Sequence, residues 1–112
     1  MSASTEVPVG LPIDAATRAA VAELCRRFRV LRLDIFGSAV RDDFDPARSD
    51  VDLVVTFDDT WKDHYADTYF GFLSALEDLF GRKVDLLTDR SVKNPYLRRA
   101  IDAERQPLFA AT

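Results

Sequence analysis

Three aspartates in two apolar segments are the residues of this chain best suited to bind a metal ion. Asp50 and Asp52 stand at the start of the β-branched run 51–57, and Asp85 lies within the run 83–88. Residues i and i+2 of a strand point to the same side, so the first two carboxylates would lie together. Carboxylate oxygens are the ligands that Mg²⁺ prefers. Three carboxylates on adjacent strands could hold two Mg²⁺ ions about 4 Å apart, an arrangement that clamps the attacking and leaving oxygens in phosphoryl transfer.

A Gly-Ser pair is the second feature that could take part in chemistry. Gly37 and Ser38 come directly after the apolar run 30–36. Glycine lets the backbone approach a phosphate closely, and the amides and hydroxyl that follow can donate hydrogen bonds to its oxygens. Taken alone, such a pair is more often a simple turn. Together with Asp50 and Asp52, the pair predicts a site that binds a phosphate and a metal ion.

Three strands must position these residues, and the sequence predicts them at 30–36, 51–57 and 83–88. The first strand alternates, with Leu31, Leu33 and Ile35 set against polar residues such as Asp34. The second is a nearly continuous apolar run, which is typical of a buried strand. We expect the third strand to lie beside the second, with Asp85 facing away from its apolar neighbours.

Helical periodicity and capping residues predict the remaining elements. Asp14 caps a first helix that runs to about residue 29, and one short helical turn is expected within 39–49. A further helix begins near Tyr65 and stops at Gly81. Asn94 caps the last helix. Its apolar face is Leu97, Ala100 and Ile101, and Leu108 and Phe109 are expected to pack as its tail.

The predicted order α-β-α-β-α-β-α corresponds to an α/β fold in which a small mixed β-sheet is flanked by helices. A chain of 112 residues fits one domain. We expect residues 1–12 to be a flexible N-terminal tail and residues 13–112 to form that single domain.

Composition excludes several classes of protein. The hydrophobic content of 47% is too high for a disordered chain. The net charge of −4 argues against general nucleic-acid binding through a basic surface. Cys25 is the only cysteine, so no disulfide can form within the chain. No signal peptide and no apolar run of about 20 residues is present, and we expect a cytoplasmic protein that does not bind a membrane.

The combination of these motifs resembles a known superfamily. The stretches Phe36-Gly-Ser-Ala-Val-Arg41 and Arg48-Ser-Asp-Val-Asp-Leu53, followed by Asp85 on a later strand, resemble the nucleotidyltransferases that include DNA polymerase β. They are most similar to the minimal nucleotidyltransferases, which are small antitoxins typically paired with a HEPN-domain toxin. The likeness spans about residues 28–109, with one residue more than usual between the two motifs.

The resemblance implies a role for each residue of the two motifs. Gly37 and Ser38 would hold the triphosphate of a nucleotide, and Arg41 would contact a phosphate. The metal ligands and catalytic residues would be Asp50, Asp52 and Asp85, with two Mg²⁺ ions bound, and Asp85 would also help to deprotonate the acceptor hydroxyl. The implied reaction transfers a nucleoside monophosphate, AMP from ATP as the expected case, to a tyrosine of the partner toxin in a hetero-oligomer.

Two other functions remain open on this sequence. The chain could neutralise a toxin by binding alone, without catalysis. It could instead modify a small molecule, as related antibiotic-modifying enzymes do, although we expect no second domain to hold such a substrate. Structural explanations also exist for the aspartates, since Asp50 and Asp52 could form turns and Asp85 could pair with an arginine.

Overall fold

The computed structural model of the chain describes residues 13–37, 50–58 and 65–111. In chain order its elements are α1 (Ala15–Arg27), β1 (Val30–Phe36), β2 (Val51–Phe57), α2 (Tyr65–Phe80), β3 (Val84–Thr88), a 3-10 turn (Asp89–Ser91), α3 (Pro95–Glu104) and β4 (Gln106–Ala110). The expected tail, residues 1–12, and the helical turn expected within 39–49 lie outside the described residues. Within the three described ranges, no helix is long and apolar enough to cross a membrane.

The strands form one mixed sheet in the order β3-β2-β1-β4. β1 runs antiparallel to β2 and to β4, whereas β2 and β3 run parallel. A parallel pair needs a long crossover connection, which α2 supplies here. These relationships confirm the α/β class, the small mixed sheet flanked by helices, and the expected contact between the second and third strands.

The C-terminal apolar residues lie in a strand, so the prediction that they form the tail of the last helix was wrong. Phe109 pairs with Leu33 of β1, and Leu108 is buried in the core. The chain leaves the helical conformation at Arg105. Pro107 has no amide hydrogen to donate, and a proline is tolerated in an edge strand such as β4. The sheet therefore gains a fourth strand next to β1.

Capping hydrogen bonds confirm where two helices begin. Asp14 accepts a hydrogen bond from the Thr17 amide at 2.8 Å. Asn94 Oδ1 accepts hydrogen bonds from the amides of Tyr96 and Leu97 at 2.8 and 3.1 Å. Each cap satisfies amides that have no partner within the helix. These contacts place the starts of α1 and α3 where the sequence predicts them.

The sheet separates two apolar clusters. The larger one lies between the sheet and the helices α1 and α2, and Leu53 and Phe72 are among its fully buried residues. The smaller one lies on the opposite face, where Val54 packs with Ile101 of α3. Because successive residues of a strand alternate between the two faces, Asp52 shares the face of Val54. The candidate metal ligand Asp52 therefore lies on the α3 side of the sheet.

Strand β1 does not keep the alternation that its sequence suggests. Leu31 is 45% exposed, whereas Val30 and Leu33 are buried. The pairing of β1 with β2 is irregular between Val30 and Arg32, and a bulge of this kind changes which face the following residues occupy. Beyond it the alternation returns, with Leu33 and Ile35 in the larger cluster and Phe36 beside the smaller one. Asp34 is fully buried on the face of Phe36, where Arg105 at the end of α3 contacts it.

Candidate active site

Asp52 and Asp85 stand side by side on neighbouring strands. In the parallel pairing of β2 with β3, Asp52 lies opposite Asp85, and Val54 lies opposite Leu87. Neighbouring strands are about 4.8 Å apart, so the two carboxylates share one end of this face of the sheet. Asp52 is half-buried and Asp85 is exposed. Adjacent carboxylates repel each other unless a cation lies between them, and this pair is therefore the centre of the candidate site.

Gly37 lies against the carboxylate of Asp52 and has no room for a side chain. It follows Phe36, which pairs with Asp52 across the β1–β2 ladder. A Cβ atom built on Gly37 would overlap Oδ2 of Asp52. The φ angle of Gly37, +73°, also lies in the left-handed region that side chains disfavour. Both constraints select glycine at the end of β1, directly beside the two aspartates.

Glu104 is a residue of this region that sequence reasoning missed. The amide of Gly37 donates a hydrogen bond to Glu104 Oε1 at 3.2 Å, which joins the last residue of α3 to the end of β1. A carboxylate in the last turn of a helix is disfavoured by the helix dipole. That unfavourable placement is the one sequence signal that could have pointed to Glu104.

Asp50 lies at the entrance to β2 and is paired with a lysine. Its side chain is 42% exposed, and its Oδ2 is 4.0 Å from Lys83 Nζ. The amide of Val51 donates a hydrogen bond to the Lys83 carbonyl at 3.1 Å, which joins the entrances of β2 and β3. Asp50 therefore lies at the same end of the sheet as Asp52, at the margin of the site.

The donor chemistry of the site fits a hard divalent cation. The residues Asp50, Asp52 and Asp85 offer only carboxylate oxygens, which suit Mg²⁺. In the described ranges, however, no three acidic, histidine or cysteine side chains lie close enough together to form a metal site. Asp50 would have to release Lys83 before it could bind the same ion as Asp52 and Asp85.

Two residues of the predicted phosphate site follow Gly37 along the chain. Ser38 and Arg41 lie outside the described residues, between the end of β1 and the start of β2. The structure thus brings together Gly37, Asp52 and Asp85, and it puts Asp50 beside them.

An ion network centred on the buried Asp34 lies on the same face of the sheet, and sequence reasoning did not find it. Asp34 of β1 is fully buried and accepts hydrogen bonds from Arg105 Nε at 2.5 Å and from Arg32 Nε at 2.9 Å. Arg105 Nη1 also donates to Asp102 at 2.9 Å and to Asp89 at 3.2 Å. The network holds the end of α3 against β1 and against the turn after β3.

The electrostatics of Asp89 reflect this network. Burial by itself would raise the pKa of Asp89, but hydrogen bonds from Arg98 and Arg105 outweigh burial and hold this pKa below its ordinary value. Arg98 Nη1 donates to Asp89 Oδ1 at 2.9 Å. The carboxylate form of Asp89 is therefore favoured, and it links the end of β3 to α3.

Comparison with known proteins places this arrangement in a family. Residues 17–108 match the model of the nucleotidyltransferase domain family. A protein of Methanocaldococcus jannaschii, provisionally named a protein adenylyltransferase, is 32% identical over 78 residues, which are 70% of this chain and 76% of that protein.

Solved structures are also similar to this chain. The structure of a provisionally assigned minimal nucleotidyltransferase is similar with a TM-score of 0.67 and 34% identity, covering 82% of this chain and 89% of that one. A chain of the complex between a tri-AMPylated Shewanella oneidensis HEPN toxin and an MNT antitoxin has a TM-score of 0.56 at 17% identity, covering 86% of this chain and 71% of that one. The second likeness shows a shared fold. Because the family model spans most of its length, this chain belongs to the nucleotidyltransferase domain family and is a nucleotidyltransferase.

Proposed function

We propose that this nucleotidyltransferase transfers AMP from ATP to a tyrosine hydroxyl of a partner HEPN-domain toxin, and so serves as the antitoxin of the pair. The observation that carries the proposal is the register of Asp52 opposite Asp85, beside the turn at Gly37. The AMPylated toxin bound to an antitoxin of the same fold supports the choice of nucleotide and partner.

The reaction is a displacement at the α-phosphorus of ATP. The acceptor hydroxyl oxygen forms a bond to this phosphorus while the bond to the oxygen that bridges to the β-phosphate breaks. Pyrophosphate leaves with that oxygen, and the hydroxyl proton passes toward the carboxylate of Asp85. Because such transfers proceed mainly through positioning and charge stabilisation, the protein needs to orient both reactants and offset their negative charge.

The proposal assigns a role to each residue of the two motifs. Gly37 and Ser38 would bind the triphosphate, and Arg41 would add a positive charge at a phosphate. Asp50, Asp52 and Asp85 would hold the metal. Mg²⁺ bound there would offset the repulsion between the carboxylates and the phosphates.

The experiment compares label transfer by the wild-type chain and by the double variant Asp50→Asn/Asp52→Asn. Each is incubated with ATP labelled at the α-phosphate, Mg²⁺ and a co-encoded HEPN-domain protein. We expect label on the partner with the wild type and none with the double variant. Asp78→Asn is the matched control, because Asp78 is an exposed acid on α2, which packs on the face of the sheet opposite Asp52.

Toxin neutralisation separates catalysis from binding. Loss of neutralisation in the double variant, together with loss of label, supports the proposed reaction. A double variant that neutralises the toxin as well as the wild type does would instead favour an antitoxin that acts by binding alone.

A further inference from the structure

We propose that the groove along the outer edge of β3 binds the segment of the partner protein that carries the acceptor hydroxyl. This inference rests on the proposed function and assigns a docking surface to it. Four features of the molecule support the assignment: the shape of the groove, its nearness to Asp85, the order of the strands, and the way in which the edge of β3 is protected.

The groove has a volume of about 430 Å³ and lies between α2 and β3. Its lining includes Tyr65, Tyr69 and Phe70 of α2, with Leu86, Leu87 and Ser91 on the other side. Phe70 is 63% exposed and Tyr65 is 37% exposed. An exposed group of aromatic side chains beside an active site is typical of a surface that binds another protein.

The groove lies within electrostatic reach of the candidate site. Leu86 and Leu87 directly follow Asp85 in β3. Burial raises the pKa of Tyr69, and the negative charge of Asp85 raises it further. Leu87 lines the groove and lies on the α3 face of β3, the face that Asp85 shares. A segment seated along this outer edge would therefore reach the Asp85 carboxylate past Leu87.

The order of the strands sets the direction from which the acceptor arrives. In an in-line displacement, the attacking and leaving oxygens lie on opposite sides of the phosphorus. The departing pyrophosphate is held at Gly37, at the end of β1, whereas Asp85 lies on β3. Since β2 lies between these strands, the acceptor approaches from the β3 side, where the groove opens.

The edge of β3 is already protected against addition of a strand. The hydroxyl of Tyr69 donates a hydrogen bond to the Leu86 carbonyl at 2.5 Å, and Glu77 Oε2 accepts one from the Val84 amide at 3.1 Å. An incoming strand would have to break these contacts. The groove thus favours a partner segment that inserts apolar side chains between α2 and β3 over one that extends the sheet.

The test measures partner binding and nucleotide binding separately in Phe70→Asp. Transfer of label from ATP is followed at several concentrations of the co-encoded HEPN-domain protein, and the affinity for ATP with Mg²⁺ is measured by calorimetry. We expect the KM for the partner to rise about tenfold or more. The ATP affinity and the kcat at saturating partner should stay at the wild-type values.

Control variants separate the groove from general effects of a new charge. Phe70→Leu keeps an apolar side chain and should behave like the wild type. Tyr96→Asp introduces the same charge on α3, on the opposite face of the sheet, at a residue that is 76% exposed, and it should leave the partner KM unchanged. Tyr65→Ser is a second groove variant and should raise this KM as Phe70→Asp does.

Specific results would overturn the assignment. An unchanged partner KM in both groove variants, or an equal rise in Tyr96→Asp, rules out docking in the groove. A loss of ATP affinity in Phe70→Asp would mean that the groove binds the nucleotide instead. If the wild type labels no partner, the proposed function fails, and calorimetry with the HEPN-domain protein alone still decides whether Phe70→Asp weakens its binding.

Discussion

A Cβ atom on Gly37 would overlap Asp52 Oδ2. The two residues come from neighbouring antiparallel strands, since Phe36 pairs with Asp52 and Gly37 follows it. The end of β1 at Gly37 and the strand β2 at Asp52 are thus in direct contact, and a change in one displaces the other.

Gly37→Ala is expected to abolish most activity while leaving the chain folded. The left-handed backbone should lower the free energy of unfolding by about 1–2 kcal/mol. Displacement of the Asp52 carboxylate should lower the transfer rate by about 100-fold. Denaturant unfolding and a label-transfer assay measure the two effects.

Gly81→Ala is the matched control for this variant. Gly81 also has a positive φ, +67°, but nothing lies within 4 Å of a Cβ built on it. The variant should lose a similar amount of unfolding free energy, but it should transfer label at the wild-type rate. If it loses as much activity as Gly37→Ala does, contact with Asp52 does not explain the requirement for glycine at position 37.

Removal of Mg²⁺ should lower the thermal stability of the wild type. A ligand that binds only the folded chain stabilises it by about 2.7 kcal/mol at a concentration 100 times its Kd. We expect a higher Tm with Mg²⁺ than with EDTA, and a much smaller difference in Asp85→Asn, because that variant loses one of two paired carboxylates. The control Asp78→Asn should keep the full Mg²⁺ effect, and an equal effect in Asp85→Asn would argue against Asp85 as a ligand.

Arg105→Ala is expected to be the most destabilising of these changes. It removes the hydrogen bond from Arg105 to the fully buried Asp34, which keeps its bond from Arg32. Loss of a hydrogen bond to a charged group costs about 1.5–3 kcal/mol. Arg26→Ala removes an exposed pair with Glu23 and should cost about 1 kcal/mol or less. Similar unfolding free energies for the two variants would show that Arg32 alone satisfies the buried carboxylate of Asp34.

Asp89 should contribute to a loss of stability in acid. Its pKa in the folded chain lies below the ordinary value of 3.8, so its stabilisation is present above that value and is lost as the pH falls through the folded pKa. Asp89→Asn removes this contribution. Its unfolding free energy should therefore depend less steeply on pH below about 4 than that of the wild type, and equal slopes would contradict the role of Asp89.

Much of the fold and part of the site could be predicted because they depend on local patterns. The continuous apolar run of β2 marks a buried central strand, and Asp52 stands out because aspartate is disfavoured there. Capping residues such as Asp14 and Asn94 mark helix starts through contacts with amides a few residues away. These patterns can be recognised without knowing which distant residues the segment contacts.

Only the tertiary structure decided the contacts between distant segments. Gly37 and Glu104 are 67 residues apart, and their hydrogen bond depends on how α3 packs on the sheet. Asp34 was expected in an alternating polar position, yet it is buried because Arg105, 71 residues away, donates to it. Leu108 likewise lies in a strand because β4 pairs with the edge of β1. Hydrophobic periodicity identifies the buried face of one element but not the partner that covers it, because the same face can pack equally well against several others.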